Sequence, residues 1–476
     1  MSRKPATKAA PPAPEPVAAP PRRGRKAEPI APAEPVVVSE PIPVVVVAEP
    51  EPAPALPAAP ARALRLLVGT HSHPGISKGG AELAAWKVFE SFRGRPDWQA
   101  WFIGCGREHS STRLGSVITQ PFGEDQFLYA SAAFDWFKFS NSDERFPREF
   151  ADLLRRTRPD IMHFHHYVNF GMESFLIAKR ELPDVKIVLT LHEFQAICNH
   201  YGQMVTKKNK SLCYESSPRD CNRCFPDIRQ ADFFLRKAYI MRFLDLVDHF
   251  ISPSQFLADR YIAWGIPAAK MTVIENVISV AEPAPPEKPR AAGAPLRVGF
   301  FGQISFLKGI HILLDAARML EQEEVDNVVF DIHGDYSNQP AEFQADFLSR
   351  LENAGSNVRF HGPYDNTRVD RLMRSEDVVL IPSIWWENSP VVIQECLRNR
   401  RPIIASNIGG MAEKVRPGLD GWHFNVGNAL ELGSLLRDLA EDPDQLDAMR
   451  ATMRFPPTVD AVMDAHLEVF QKVSAG

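Results

Sequence analysis

From residue 64 onward the chain alternates short apolar runs with longer stretches in which apolar positions recur every three or four residues. Short runs bounded by polar or turn residues read as buried strands, and the periodic stretches read as helices packed over them. In the first half, strands are predicted at 64–69, 100–105, 160–165, 185–191, 249–252 and 271–274. After a proline-rich stretch the pattern restarts, with strands at 296–302, 328–334, 358–361, 378–382 and 402–406. Helices are predicted between them at 307–320, 341–354, 369–374 and 390–400. This alternation predicts an α/β fold of two Rossmann-like, doubly wound domains facing across a cleft. The domains are expected at 63–280 and 295–455, joined by a linker at 281–294. A last helix within 456–476 is expected to pack back on the first domain. Ligands of open α/β sheets bind beyond the carboxyl ends of the strands, which here face the cleft.

Composition changes this picture at one end. The first 62 of the 476 residues hold 17 of the 41 prolines, no aromatic residue, and the basic cluster Arg22-Arg23-Gly24-Arg25-Lys26. Such a segment cannot bury enough apolar surface to offset its ordering entropy, so it is expected to be a disordered arm. It reads as a solvated tail, with a tether to a partner or anionic surface as the alternative. Val44–Val47 is too short to span a bilayer or to form a signal-peptide core. The arm carries eight Lys/Arg and six Asp/Glu, leaving the body at −7 against −5 for the chain. That balance gives no electrostatic footprint for nucleic acid. With no apolar run of membrane-spanning length, a cytoplasmic protein is expected. The segment 233–246 (FFLRKAYIMRFLDL) reads as a core-facing helix, and peripheral association at the inner membrane face through it is the alternative.

The segment richest in chemistry is Ser383-Ile-Trp-Trp-Glu-Asn-Ser-Pro-Val-Val-Ile-Gln-Glu-Cys396, between a strand and a helix. Asn388 or Ser389 is placed to cap that helix and Pro390 suits its first turn. Glu387 precedes the helix and Glu395 lies inside it. Ionised carboxylates only accept hydrogen bonds, which suits the hydroxyls of a sugar and a ribose. The amides between them, including that of Val391, would favour a phosphate. Read without context, both glutamates are equally well solvated helix charges. A second segment, Val298-Gly-Phe-Phe-Gly-Gln-Ile-Ser-Phe-Leu-Lys-Gly309, closes a strand at Gly302 and opens a helix at Lys308-Gly309. Glycine admits a ligand close to the backbone, and a lysine there would neutralise a diphosphate.

The Glu-x7-Glu spacing within WENSPVVIQECLRNRRPIIASNIGGMAEKV closely resembles the family-four retaining glycosyltransferases of the GT-B fold, over nearly the whole body from Leu64 to about Leu439. The resemblance implies transfer of a sugar from a nucleoside-diphosphate sugar to an acceptor hydroxyl, in glycan, polysaccharide or glycolipid synthesis, without a metal cofactor. It implies that Glu387 contacts the donor sugar, Glu395 the ribose, and Lys308 the diphosphate. Where the family usually has an arginine beside the first glycine, this chain has Gln303, which donates hydrogen bonds but carries no charge. Gly79 and Gly80, in Ser77-Lys-Gly-Gly-Ala-Glu82, match the family's Gly-Gly-x-Glu loop, whose amides face the phosphates. Glu82 is read as a helix-start contact. His192, at the end of Leu189-Thr-Leu-His192, falls where the family keeps an active-site histidine.

Three further features stand beside that match. His163 and His165 alternate onto one strand face and are expected to line an acceptor pocket, in preference to a metal site. Cys198, Cys213, Cys221 and Cys224 are spaced C-x14-C-x7-C-x2-C, which is compatible with a structural zinc site, reduced thiols or a disulfide. Asp442-Pro-Asp444 imitates a metal-binding Asp-x-Asp but sits in a polar turn. An epimerase or phosphorylase of the same fold, or a nucleotide-sugar-binding protein without turnover, are the rival readings.

Overall fold

The computed structural model describes residues 62–77, 79–107, 115–131, 133–277 and 293–475. The proline-rich arm up to residue 61 and the expected linker up to residue 292 lie outside the described residues.

Two sheets carry the fold. The first contains β1 (Leu64–Thr70), β2 (Trp98–Arg107), β3 (Ile118–Gly123) and β4 (Gln126–Ser131). A two-stranded ribbon, β5 (Phe134–Asp135) and β6 (Ser140–Asn141), follows in the chain. The sheet then continues with β7 (Ile161–Phe164), β8 (Lys186–Thr190), β9 (His249–Ser252) and β10 (Met271–Val273). Its order is β10-β9-β8-β7-β1-β2-β4-β3, parallel except for the β3–β4 pair. The second sheet contains β11 (Leu296–Phe301), β12 (Val328–His333), β13 (Val358–Gly362), β14 (Val378–Ile381), β15 (Ile403–Ser406) and β16 (Gly421–Phe424). Its order is β13-β12-β11-β14-β15-β16, parallel throughout.

Parallel strands covered on both faces are buried along their whole length and are mostly apolar. β7, β9, β12, β14 and β15 are buried at every residue. Strand order reverses between β1 and β7 in the first sheet and between β11 and β14 in the second. At such switch points the loops diverge and leave a crevice. The loops leaving β8, β11 and β14 carry His192, Lys308 and Glu387.

The last helix, Val459–Ala475, belongs to the core of the first sheet although it follows the second in sequence. Val462, Met463, Val469, Phe470 and Val473 are buried against residues of β1, β2 and the helix Gly80–Arg93. Phe470 has no exposed surface and packs tilted against Phe92 and Trp98, with ring centroids at 5.2 and 5.9 Å. The chain therefore crosses between the sheets twice, so the two halves are tied at two places. The helix Gln230–Leu244 turns Phe233, Ile240, Phe243 and Leu244 inward, while Phe234 and Leu235 remain exposed. No helix among the described residues is long and apolar enough to cross a membrane.

A candidate active site between the two sheets

Glu387 leaves β14 on the loop that faces the first sheet, and only 6% of it is exposed. A buried carboxylate needs charge pairing and hydrogen bonds. Its Oε1 accepts from Lys308 Nζ at 2.6 Å, Ser383 Oγ at 2.8 Å and the Trp385 indole at 2.8 Å. No donor among the described residues reaches Oε2, which leaves that oxygen to the 340 Å³ cavity that Glu387 lines. Lys308 can reach it because the chain turns sharply at Gly309. That residue has φ +74°, and a Cβ there would lie 1.9 Å from the Pro382 carbonyl oxygen. Gly410 closes the other side of the loop. It donates its amide to the Glu387 carbonyl at 2.7 Å, and any Cβ would overlap the Asn388 carbonyl.

Asn388 and Ser389 do not cap the following helix, as the sequence suggested. Pro390 occupies the cap position, without a side-chain bond, and the helix runs Val391–Arg398. Both polar side chains are instead spent on the other sheet. Asn388 accepts from Ser254 Oγ at 2.5 Å and donates to the His192 carbonyl at 3.0 Å. Ser389 donates to Glu275 at 2.5 Å, and Glu275 also pairs with Lys414 at 2.5 Å. Ser254, Glu275, Ser383 and Trp385 were not singled out from sequence. The available signal was their position, since each follows closely on a strand end.

The helix starts at Gly80 and Val391 face one another across the cleft, because a Cβ on Gly80 would meet Val391 Cγ2 at 3.8 Å. The positive ends of two helix dipoles therefore meet at the cavity that Glu387 also lines, which favours an anion. Behind Gly302 and Gln303 a second cavity of 310 Å³ opens at the carboxyl ends of β11, β12 and β13, with Asp335, Asn338 and Tyr364 on its wall. Glu395 lies close enough to Tyr364 to raise the phenol's pKa further, after burial. Burial raises Glu395's own pKa, opposed by Arg398.

On the first sheet, His192, Glu193 and Glu82 line the 340 Å³ cavity opposite Glu387. Burial, reinforced by His166, pushes His192 down to about 3. Glu82 is buried within 3.3 Å of His71, and burial raises its pKa. His163 and His165, expected to line an acceptor pocket, are both buried. They do share a face, with ring centroids 4.4 Å apart, but that face is covered. His163 is fully enclosed by Phe470 and His466 of the last helix and bonds Thr190 at 2.7 Å, while His165 is 2% exposed.

The four cysteines of the insert at 198–224 form no disulfide. Burial pushes Cys221 up to about 11, with the neighbouring thiols adding to the shift. Among the described residues no three His, Cys, Asp or Glu side chains group as ligands for a metal ion. The insert does reach the second sheet. The Trp386 indole donates to the Cys213 carbonyl at 3.0 Å, and its ring packs against Tyr214, Phe256 and the Arg260 guanidinium. Asp442 follows the helix Ala429–Glu441, and Asp444 is the first residue of the helix Asp444–Thr452.

Two parallel α/β sheets with their ligand-binding edges turned to a shared cleft define the GT-B class of fold. Two family models match the chain, Glycosyltransferase Family 4 over residues 117–282 and glycosyl transferases group 1 over residues 284–454. The chain belongs to the family-four glycosyltransferases. A glycogen synthase of Mycobacterium tuberculosis is 24% identical over 290 residues, which is 61% of this chain and 62% of that protein. A D-inositol 3-phosphate glycosyltransferase of Corynebacterium urealyticum is 25% identical over 305 residues, covering 61% and 65%. The chain thus matches less than two thirds of the length of these curated relatives. The fold is shared with Anabaena HepE, solved in complex with UDP, at a TM-score of 0.60 and 17% identity over 86% of this chain and 100% of that one.

The buried histidines make stability depend on pH. Burial holds His71 and His192 at about 3 and His466 at about 4, against 6.5 for a free imidazole. Below pH 6.5 the unfolded chain binds protons that the folded chain refuses, so stability falls as pH falls through this window. Each group contributes up to about 1.4 kcal/mol per pH unit. The urea midpoint should therefore drop markedly between pH 7 and pH 5. A midpoint constant over that range would show that these rings titrate normally in the fold.

Proposed function

We propose that the chain is a retaining glycosyltransferase that moves a sugar from a nucleoside-diphosphate sugar to an acceptor hydroxyl of a glycan or glycolipid. The observation that carries this reading is the Lys308–Glu387 pair, set between two facing helix starts. A diphosphate placed there would meet Lys308, the amides at Gly79 and Gly80 and those at Ser389 and Val391. The leaving charge would be stabilised without reorganisation. The donor's nucleoside would occupy the cavity beside Gly302 and Gln303, with Glu395 accepting from the ribose hydroxyls. Its sugar would sit against Glu387 Oε2 and His192.

Glu387 is a weakened nucleophile in this setting, because Lys308 and two further donors stabilise the charge of its carboxylate. Front-face attack fits better. The bond from the anomeric carbon to the phosphate oxygen breaks, the bond to the acceptor oxygen forms on the same face, and the departing phosphate oxygen takes the acceptor's proton. Lys308 and the helix starts supply the positive potential that a divalent cation supplies elsewhere. Gln303 favours one second reading, a nucleotide-sugar-binding protein without turnover, because an uncharged amide holds a diphosphate less firmly than an arginine would.

A panel of UDP-, GDP- and ADP-sugars, scored first by thermal shift and then by sugar release, tests the assignment. A donor should raise the melting temperature and be consumed. Glu395→Ala should weaken the free nucleotide diphosphate about tenfold, as expected for loss of a charged hydrogen-bond acceptor. Glu387→Ala should reduce turnover more than nucleotide affinity. Binding without consumption would support the second reading, and unchanged nucleotide affinity in Glu395→Ala would refute its ribose role. Turnover should also survive EDTA. Activity lost in EDTA and restored by Mn²⁺, with the fold intact, would contradict a metal-independent site.

A further inference from the structure

His192 lines the cavity with one edge and touches a second histidine with the other. Its Nε2 lies 3.1 Å from Nδ1 of His165, with the rings 23° from parallel. His165 sits just beyond the end of β7 and is 2% exposed. Its remaining nitrogen, Nε2, is buried without a hydrogen-bond partner among the described residues. Burial lowers the pKa of both rings, and His163 and His466, packed behind them, are lowered in the same way. At neutral pH each ring therefore carries one N–H, and the contact is a hydrogen bond between two neutral imidazoles.

Only two arrangements satisfy that contact. If His192 donated from Nε2, His165 would accept at Nδ1 and would have to carry its own proton on Nε2, burying an N–H with nothing to receive it. If His165 donates from Nδ1, its Nε2 is a bare lone pair. Buried orphan N–H groups are rarer than under-used acceptors. The second arrangement is favoured, and it places the proton of His192 on Nδ1, the nitrogen left for the cavity.

We infer that His165 is a positioning residue that fixes His192 in its Nδ1–H tautomer, so that His192 presents a hydrogen-bond donor, and not a base, to an oxygen of the bound ligand. That the oxygen is a sugar hydroxyl rests on the proposed transferase reading; the tautomer does not. His192 then takes no proton from the acceptor, which leaves the departing phosphate oxygen as its destination.

Ring-nitrogen NMR of the full chain labelled with ¹⁵N-histidine, at pH 7.5, reads the tautomer directly, with His192 assigned through His192→Gln. The expected pattern is a protonated Nδ1 and a bare Nε2. His165→Phe should convert His192 to a mixture of tautomers and lower consumption of the donor picked out by the nucleotide-sugar panel roughly tenfold, as expected for one misoriented hydrogen bond. His165→Asn, whose amide can donate from nearly the same point, should restore both. A wild-type His192 protonated on Nε2 would overturn the inference. So would an unchanged tautomer in a folded His165→Phe, or, should that variant not fold, an Nε2-protonated His192 in His165→Asn. A correct tautomer in a chain that consumes no nucleotide sugar would instead count against the transferase reading alone.

Discussion

A carboxylate enclosed between two sheets must be paired, and the loop between β14 and the helix Val391–Arg398 is organised around that requirement. Glu387 takes its charge partner from the loop after β11 and two further donors from its own loop. The same loop then passes directly to Asn388 and Ser389, which bond the first sheet. Pairing inside the second domain and contact between the domains therefore both fall within Ser383–Ser389. Any shift that opened the cleft at Asn388 would pull on the backbone that holds Glu387.

The two sheets contribute unequally. From the second come the lysine, the paired carboxylate and the nucleoside-sized cavity. From the first come neutral histidines and a buried carboxyl whose charge burial disfavours. Positive potential is concentrated where the helix starts at Gly80 and Val391 approach each other, and the opposite wall is neutral or hydrogen-bonding. That division suits a ligand with an anionic middle and a hydroxyl-rich end. The last helix contributes at a distance. By burying His163 and packing His466 against it, the helix Val459–Ala475 keeps the ring cluster behind His192 dry and uncharged.

Much of this was legible in the chain because strands and the helices over them differ in the spacing of their apolar positions; the strand 249–252 and the helix 369–374 match the structure at both ends. Strand β3, reading ITQPFG, was not legible, since an edge strand needs only one buried face and tolerates a proline. β16 is four residues long with a half-buried tryptophan and histidine in its middle. The site motifs were legible as spacings. Their partners were not, because Ser254 and Glu275 lie more than 100 residues from Asn388 and Ser389, and nothing local distinguishes a helix cap from a reach across a cleft. Alternation put His163 and His165 on one face. Which side that face meets was decided by a helix some 300 residues later.

In the proposed front-face exchange the sugar is replaced on one face, with Glu387 orienting it and no side chain bonding to it. Proton NMR of the first product released from a nucleotide sugar, taken before the sugar can interconvert its anomers, reads the stereochemistry. The product should keep the anomeric configuration of the donor, with no glycosyl adduct on Glu387 in the intact-protein mass. An inverted product, or an adduct at Glu387, would contradict it.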